Sequence, residues 1–551
     1  MKYLFFCFVL SLSFLQLHSQ EVDTTFGEPY SFFHPQIEYV SGITASDFDG
    51  RSDRANTMLF LEDGRIIVAG NTHGNDGNDF AFTRLLSDGK YDQSAGPDGE
   101  VYLDLGFQND SCLSASLYQS NKMLMGGCAG QTSQIGCSAL IVKLDFDGNL
   151  DDGFGNQGRT LLDLPGTWDM VTDIIPLADG KILLAGNIYF GSSFRYPDST
   201  NIFIGRLEPD GQIDSTFGSN GFIYTKIGNC IASVIGDMFV YDDGSFLLTG
   251  AGYTPYPGQY LEDFTCYNYI YLYRFLDDGT LDDNFGENGE LALYGTQGRG
   301  NTIFVYEDGR IVVAGMTSDG LLDPIYTLVA RLLPDGTRDS AFNDDGYFRK
   351  FIHGVYGYGA EPIKIFKVNN ELLIGFLDGS IGPSVTFGAF CLTDEGLLNL
   401  NFGNDGLFNH VSIFPFVQYS LSDVRLSEDE QSMYFGGTYR LLSNDNMFIS
   451  KLDISDKNPT TAQEQVEANS LNIYPNPTTD NFFYLDLPPF ISSEDAYLQI
   501  RDLTGRVVHL KSLDTSKHKE RIEVDLLANG VYFVELFCQH KRYSEKLLVI
   551  R

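Results

Sequence analysis

The sequence predicts an all-β protein: a seven-bladed β-propeller of four-stranded blades followed by a small C-terminal β-sandwich. Three observations carry that reading. Composition favours sheet, with 43 Phe, 31 Tyr and 58 Gly, and no long helix-forming run interrupts it. One stretch, Asp63-Gly64-Arg65-Ile66-Ile67-Val68-Ala69-Gly70, returns at Asp179–Gly186, Asp243–Gly250 and Asp308–Gly315, and in degraded form at 120–127, 369–376 and 430–437. A Phe-centred turn recurs about every sixty residues, at Phe26, Phe154, Phe217, Phe285, Phe342 and Phe402, with Ala95 in its place in the second copy. Repetition at a fixed period means an array of equivalent units.

Each unit holds four strands. One follows the Phe-Gly turn and one precedes the Asp-Gly hairpin. A third leaves that hairpin as a run of four apolar residues, too short for a helix and too apolar for a half-exposed strand. Asp-Gly is expected to supply the positive φ angles of a two-residue hairpin turn. The fourth strand carries one basic residue before a second turn: Arg84, Lys143, Arg206, Arg274, Arg331 and Lys451, with Cys391 in the sixth unit. Seven four-stranded antiparallel units close more readily into a ring than into a solenoid, because no polar capping repeat stands at either end.

The remaining chain divides by composition. Lys2 followed by an apolar run over 3–15 and a small-residue exit near Ser19 is a secretory signal, expected to span 1–19. The propeller is expected over 20–455, a polar linker over 456–470, and the C-terminal domain over 471–551. Strands there are expected at 482–487, 497–502, 506–510, 521–526, 531–537 and 545–550. No later run reaches the ~20 apolar residues of a membrane helix. A net charge of −38 argues against nucleic acid as a partner.

The repeat resembles the delta-60 repeat family of bacterial exported and surface proteins, over about residues 21–455. The resemblance rests on Asp-x-x-Phe-Gly-x-x-Gly, on Asp-Gly-Arg/Lys-Ile-x-x-Ala-Gly, and on Arg-Leu-x-x-Asp-Gly, and implies a propeller without a fixed activity. The C-terminal residues resemble the type A sorting domain of the type IX secretion system of Bacteroidota. That likeness rests on Tyr474-Pro475-Asn476-Pro477, on Gly505-Arg506 within 502–508, on Asn529-Gly530 and Tyr532 within 527–534, and on the terminal 546–551. It implies passage through the type IX machinery to the outer-membrane surface or the medium.

Chemistry is sparse. No nucleophile elbow, phosphate loop or zinc-protease motif occurs, and no catalytic, metal-ligating or cofactor-binding residue is assigned. Asp145-Phe146-Asp147-Gly148 and Asp47-Phe48-Asp49-Gly50 resemble calcium loops, but lack the closing Glu and the flanking helices, so turn chemistry is preferred. The recurrent basic residues are each followed within about eight residues by Asp or Asn, which suggests a structural pair. His34, His73, His353 and His410 are isolated. Export permits disulfides. Cys230 and Cys266 are expected to pair, and Cys112 with Cys128 or Cys137. The aromatic insertion with Tyr253, Tyr256 and Tyr260 is the candidate ligand-face loop. The resulting expectation is an exported binding or interaction module for an extracellular glycan or protein, and the alternative is a polysaccharide hydrolase or lyase. A convergent group of carboxylates in a deep central pocket would favour the enzyme.

Overall fold

The computed structural model describes residues 25–27 and most of 43–454 in one compact unit, and most of 472–549 in a second. Gaps in the first include 192–198, 254–268, 353–359, 379–386 and 411–417. In the first unit, four separate four-stranded antiparallel sheets accompany a twelve-stranded one. The latter is three four-stranded meanders joined only by the single parallel bridges Trp168↔Cys137 and Thr200↔Ala232. Seven equivalent meanders result. Their innermost strands are Asp53–Phe60, Asn109–Tyr118, Trp168–Pro176, Ala232–Val240, Gln297–Val305, Ala360–Val368 and Gln418–Leu426. Each inner strand contacts the next, and the seventh contacts the first, so the ring closes.

The sequence unit and the sheet are out of phase by one strand. Phe222–Thr225, which follows the Phe217-Gly218 turn, pairs with Ser199–Leu207 and so forms the outer edge of the preceding sheet. The first such strand, Ile43–Ser46, has no preceding sheet and pairs with Asn444–Asp453 of the last. An early piece of chain thereby completes the seventh sheet and fastens the ring.

The hairpin turn differs from the one expected. Only Gly64 has positive φ, at 85°, and its amide donates to Leu61 O at 2.9 Å, while Leu61 N donates to Arg65 O. The connection is a four-residue turn ending in a left-handed glycine. Asp63 keeps ordinary φ because its Oδ1 accepts the Arg65 amide at 3.1 Å, stabilising the turn through its side chain. The strand after it, Ile66–His73, is buried on both faces as expected.

The last glycine of the repeated stretch has a different task. A Cβ on Gly70 would lie 1.8 Å from Arg54 O; on Gly127, 1.8 Å from Ser111 O; on Gly186, 1.9 Å from Met170 O. Each glycine lets the inner strand's carbonyl approach just ahead of a β-bulge, where one residue is inserted into the ladder. All seven inner strands carry that bulge, at Asn56, Leu113, Thr172, Gly236, Asn301, Ile363 and Ser422.

The recurrent basic residues bind as expected and reach further. Arg331 is 2% exposed. Its Nε donates to Asp339 Oδ2 at 2.7 Å and its Nη1 to Asp394, a residue of the next sheet's turn, at 2.9 Å. Arg84 pairs likewise with Asp92, and Arg206 with Asp214, each eight residues on; both also bond a carbonyl of the following sheet, Phe146 O and Asp277 O. In the sixth unit Cys391 and Asn399 replace the pair, and Glu371 accepts from both, at 3.3 and 2.7 Å. The turn residues Phe26, Phe154, Phe217, Phe285 and Phe342 each pack beneath the second turn of the next sheet. A Cβ on Gly89 would strike the Phe26 ring at 2.6 Å, and one on Gly396 the Phe342 ring at 2.8 Å.

The second unit has a three-stranded sheet and a four-stranded sheet around one core that includes Phe483, Leu498, Ile500, Val534 and Leu547. Its first strand, Asn472–Tyr474, was not expected, because three residues carry too little periodicity to be seen. The Lys519–Glu523 strand begins two residues ahead of the expected one.

Replacing Arg331 with Met should lower unfolding free energy by about 3–5 kcal/mol, because it strands the Asp339 charge in a buried site. The R331M/D339N double variant should be less destabilised than R331M alone, as read by urea denaturation.

Candidate functional site

The bulges aim one residue from every inner strand toward the ring axis. The residues just after them are Thr57, Ser114, Asp173, Asp237, Thr302, Lys364 and Asp423. All of these except Thr302 line a central cavity of about 360 Å³, together with Arg425 and, from the fifth strand, Asn301. A second cavity of about 350 Å³, at the seam between the first and seventh sheets, is lined by Arg54, Asn56, Ser420, Ser422, Thr438, Arg440 and Asp445. There Asp445 accepts from Arg54 Nε at 3.3 Å and Arg440 Nη2 at 3.0 Å.

Two of the three channel carboxylates hold neighbouring sheets together. Asp423 Oδ2 accepts Met58 N at 2.9 Å and Thr57 Oγ1 at 3.2 Å across the ring-closing seam, and Arg425 Nε at 2.9 Å. Asp237 Oδ2 makes the same pair of bonds to the fifth sheet, from Ile303 N at 2.9 Å and Thr302 Oγ1 at 3.1 Å, and Lys364 Nζ lies 3.3 Å away. Lys364 thus spans from the sixth sheet to the fourth, and its ammonium pKa is raised, chiefly by Asp237.

The third carboxylate cannot repeat that pattern. Where Asp173 would meet a threonine on the fourth sheet, Asp237 stands instead. The backbone amide it would need, Met238 N, is directed to Asp237's own Oδ1 at 3.1 Å. Burial first, and then the charge of Asp237, push Asp173 up to about 7, with Lys364 opposing. Asp173 is the irregular member of an otherwise regular ring.

Two further carboxyls behave similarly away from the axis. Asp110 and Asp169 occupy equivalent places at the start of their inner strands, each three residues before the bulge. Both are buried. Burial is the main cause that pushes each up to about 7, aided at Asp110 by the charges of Asp79 and Asp104.

Of the residues singled out from sequence, Tyr253 ends the strand Phe246–Tyr253, whereas Tyr256 and Tyr260 lie outside the described residues. Cys230 is buried and disulfide-bonded; Cys266 lies outside the described residues. Cys112, Cys128 and Cys137 are free thiols, against the expectation of a staple to Cys112. The register gives the reason. Cys112 faces Gly127, so it projects to one face of the sheet, and Cys128, one residue on, projects to the other. The Asp145 carboxylate accepts the amides of Asp147 at 3.0 Å and Asn149 at 2.9 Å, which is turn chemistry. The exposed His73 has its Nδ1 2.7 Å from Asn78 Oδ1; His34 and His353 lie outside the described residues. In the C-terminal unit Tyr474 ends a strand, Gly530 begins another, and Tyr532 Oη donates to Ala528 O at 3.0 Å across the Asn529 turn. Pro475, Asn476, Pro477, Gly505 and Arg506 lie outside the described residues.

Sequence reasoning missed Asp173, Asp237, Lys364, Asp423 and Arg425. A partial signal was available: aligning the inner strands on the glycine that closes the repeated stretch puts Asp173 and Asp237 in one column, 13 residues before Gly186 and Gly250, whereas Lys364, Asp423 and Arg425 fall outside it.

Residues 472–550 match a secretion system C-terminal sorting domain. Residues 61–94, 177–217 and 307–342 match a β-propeller domain of unknown function. The chain is an exported β-propeller protein carrying a type IX sorting domain. That domain directs the propeller protein to the cell surface or extracellular space. No curated protein sequence matches it. Among solved structures, the acylaminoacyl peptidase of Pyrococcus horikoshii is 7% identical, with 79% of this chain and 57% of the peptidase covered at a TM-score of 0.37. The α-L-arabinofuranosidase of Fusarium graminearum is 10% identical, with 63% and 94% covered at 0.36, and a Trypanosoma rangeli sialidase 8% identical, with 75% and 59% covered at 0.36. The propeller protein therefore spans less than two thirds of the peptidase and of the sialidase.

Asp110, Asp169 and Asp173 titrate higher when folded than the usual 3.8. Their contribution to stability is fully present below pH about 4 and is lost as pH rises through about 7. The urea midpoint should therefore fall between pH 5 and 8, and D110N should flatten that fall.

Proposed function

We propose that this protein is a surface-delivered binding module whose ligand site is the central channel of the ring. The observation that carries the reading is the unequal use of the three channel carboxylates. Asp237 and Asp423 are each committed to a backbone amide and a hydroxyl of the adjoining sheet, and each is paired with a cation. Glycoside hydrolysis uses two carboxyls flanking the scissile bond, one to donate a proton and one to attack or activate water. Here a single carboxylate is unengaged by a neighbouring sheet. One such group in a charged cavity suits recognition.

The alternative, a polysaccharide hydrolase or lyase, draws on Asp173 alone. A carboxyl pushed up to about 7 has the proton affinity of a general acid. It lacks a second uncommitted carboxylate to act as base or nucleophile among the described lining residues.

Delivery follows from the ends of the chain. Residues 1–19 serve as the signal that takes the chain across the inner membrane, and 471–551 engage the type IX machinery, with Tyr474–Pro477, Gly505-Arg506, Asn529-Gly530 and Tyr532 forming the sorting determinants. The repeat is of the delta-60 type, and the source is a member of the Bacteroidota. An extracellular glycan or protein supplies the ligand, and the loop bearing Tyr253, Tyr256 and Tyr260 adds to its contact face.

Removing 472–551 should leave the propeller in the periplasm, as read by cell fractionation. Purified mature protein applied to glycan and peptide arrays should retain a ligand without cleaving it, and D173N should weaken retention at least tenfold. Turnover of an array polysaccharide that D173N abolishes would instead establish the enzyme.

A further inference from the structure

Resting on the reading of the channel as a binding site, we propose that the part of its ligand seated there is a small zwitterionic group, held with its ammonium against Asp173 and its carboxylate against the Arg425 guanidinium. The two side chains come from the third and seventh inner strands, three junctions apart in a ring of seven, which is as far across the channel as two strands stand. Both line the same cavity of about 360 Å³, room for a few small-molecule groups and their water.

Each end has unused bonding capacity. The Asp173 carboxylate lacks the hydroxyl that Asp237 and Asp423 receive from the next sheet. Arg425 uses Nε on Asp423 at 2.9 Å and Nη2 on Thr57 at 3.4 Å, which leaves Nη1 without a partner among the described residues. Lys364 is directed to Asp237 and so does not neutralise Asp173 by contact. Asp237–Lys364 and Asp423–Arg425 balance in charge, and Asp173 remains as the single uncompensated anion. A ligand cation answers it, and a carboxylate on the same ligand can bond in the guanidinium plane of Arg425 at the edge that carries Nη1. The lining includes no aromatic ring, so the stacking surface on which sugars commonly lie is missing from it. Ser114, Ser116, Thr172 and Asn301 surround the axis with short hydrogen-bonding groups.

Calorimetric titration of the full mature chain tests this, with glycine, alanine, glutamate and lysine as zwitterions and n-butylammonium, acetate and glucose as comparisons. At least one zwitterion should bind at least tenfold more tightly than n-butylammonium or acetate. D173N, which removes a buried charge and should fold, should weaken that binding at least tenfold. Equal affinity for n-butylammonium, binding of glucose, or no response to any of the four zwitterions overturns the ligand class. If an array ligand is lost in D173N while the zwitterions fail, only the class is wrong; if D173N leaves the array ligand untouched, the channel itself is not the site.

A separate observation concerns Cys128 and Cys137. Cys128 faces Ala139, and Cys137 lies two residues before it, so both project from one face of the same hairpin. The neighbouring Cys137 thiol, together with burial, pushes the Cys128 thiol well above its ordinary value. Cys137 is partly exposed. We infer that these thiols form a disulfide in the exported protein. Each sulfur loses its proton, one S–S bond forms, and the two electrons pass to a disulfide-bearing thiol oxidoreductase, which becomes a dithiol. Protein isolated without reductant, alkylated and digested, should yield a cross-linked peptide two hydrogens lighter than its reduced parts, absent in C137S. Alkylation of both cysteines without prior reduction overturns the inference.

Discussion

A guanidinium carried into a nearly dry site is tolerated only where its donors are satisfied, and in this ring that requirement joins several sheets to the next. Arg84, Arg206 and Arg331 each bond an aspartate of their own turn and a carbonyl of the following sheet. Deleting one partner leaves a buried charge unpaired, so the residues are kept as a set. Phe26, Phe154, Phe217, Phe285 and Phe342, each seated under the neighbour's glycine, add apolar burial to junctions of the same kind. In the sixth unit the set is exchanged whole: Cys391, Asn399 and Glu371 satisfy one another without any cation.

At the opposite end of each sheet the governing constraint is steric. The glycine closing the repeated stretch admits a backbone carbonyl that a Cβ would exclude, and the inner strand bulges there. The bulge re-aims the next side chain toward the axis. A motif that first looks like a turn followed by a buried strand therefore also determines which residues face the channel. The sixth sheet has Phe376 opposite Pro362 and still bulges at Ile363, since proline offers no amide to the ladder there.

Within the channel, two of the carboxylates are regular and one is not. Asp423 and Asp237 repeat one device, an aspartate accepting a hydroxyl and an amide from the adjoining strand. Asp173 has the same residue type at the same position, yet the neighbouring sheet offers it an aspartate. Two carboxyls face each other with one lysine between them to share. Its raised proton affinity and its availability to a ligand have that single origin.

How much was legible depended on the range of the interaction. The Asp-Gly turns, the four apolar residues behind them, the Arg–Asp spacing of eight and the Phe-Gly turns are local or periodic, and they determined the sheet class and the repeat without coordinates, as the ordered short motifs of 474–551 did for the sorting domain. Three kinds of information were not local. Phase was one: the strand after each Phe-Gly turn joins the previous sheet, because its partner is the basic strand behind it, and so Ile43–Ser46 closes the ring. Facing was another: Cys112 and Cys128 look like partners by spacing, but adjacent register places them on opposite faces. Convergence was the third. Asp173, Asp237, Lys364, Asp423 and Arg425 are spread over some 250 positions, and only closure of the ring puts their charges into one field. Local chemistry made the units; the axis they share, and any ligand on it, exists only once they are joined.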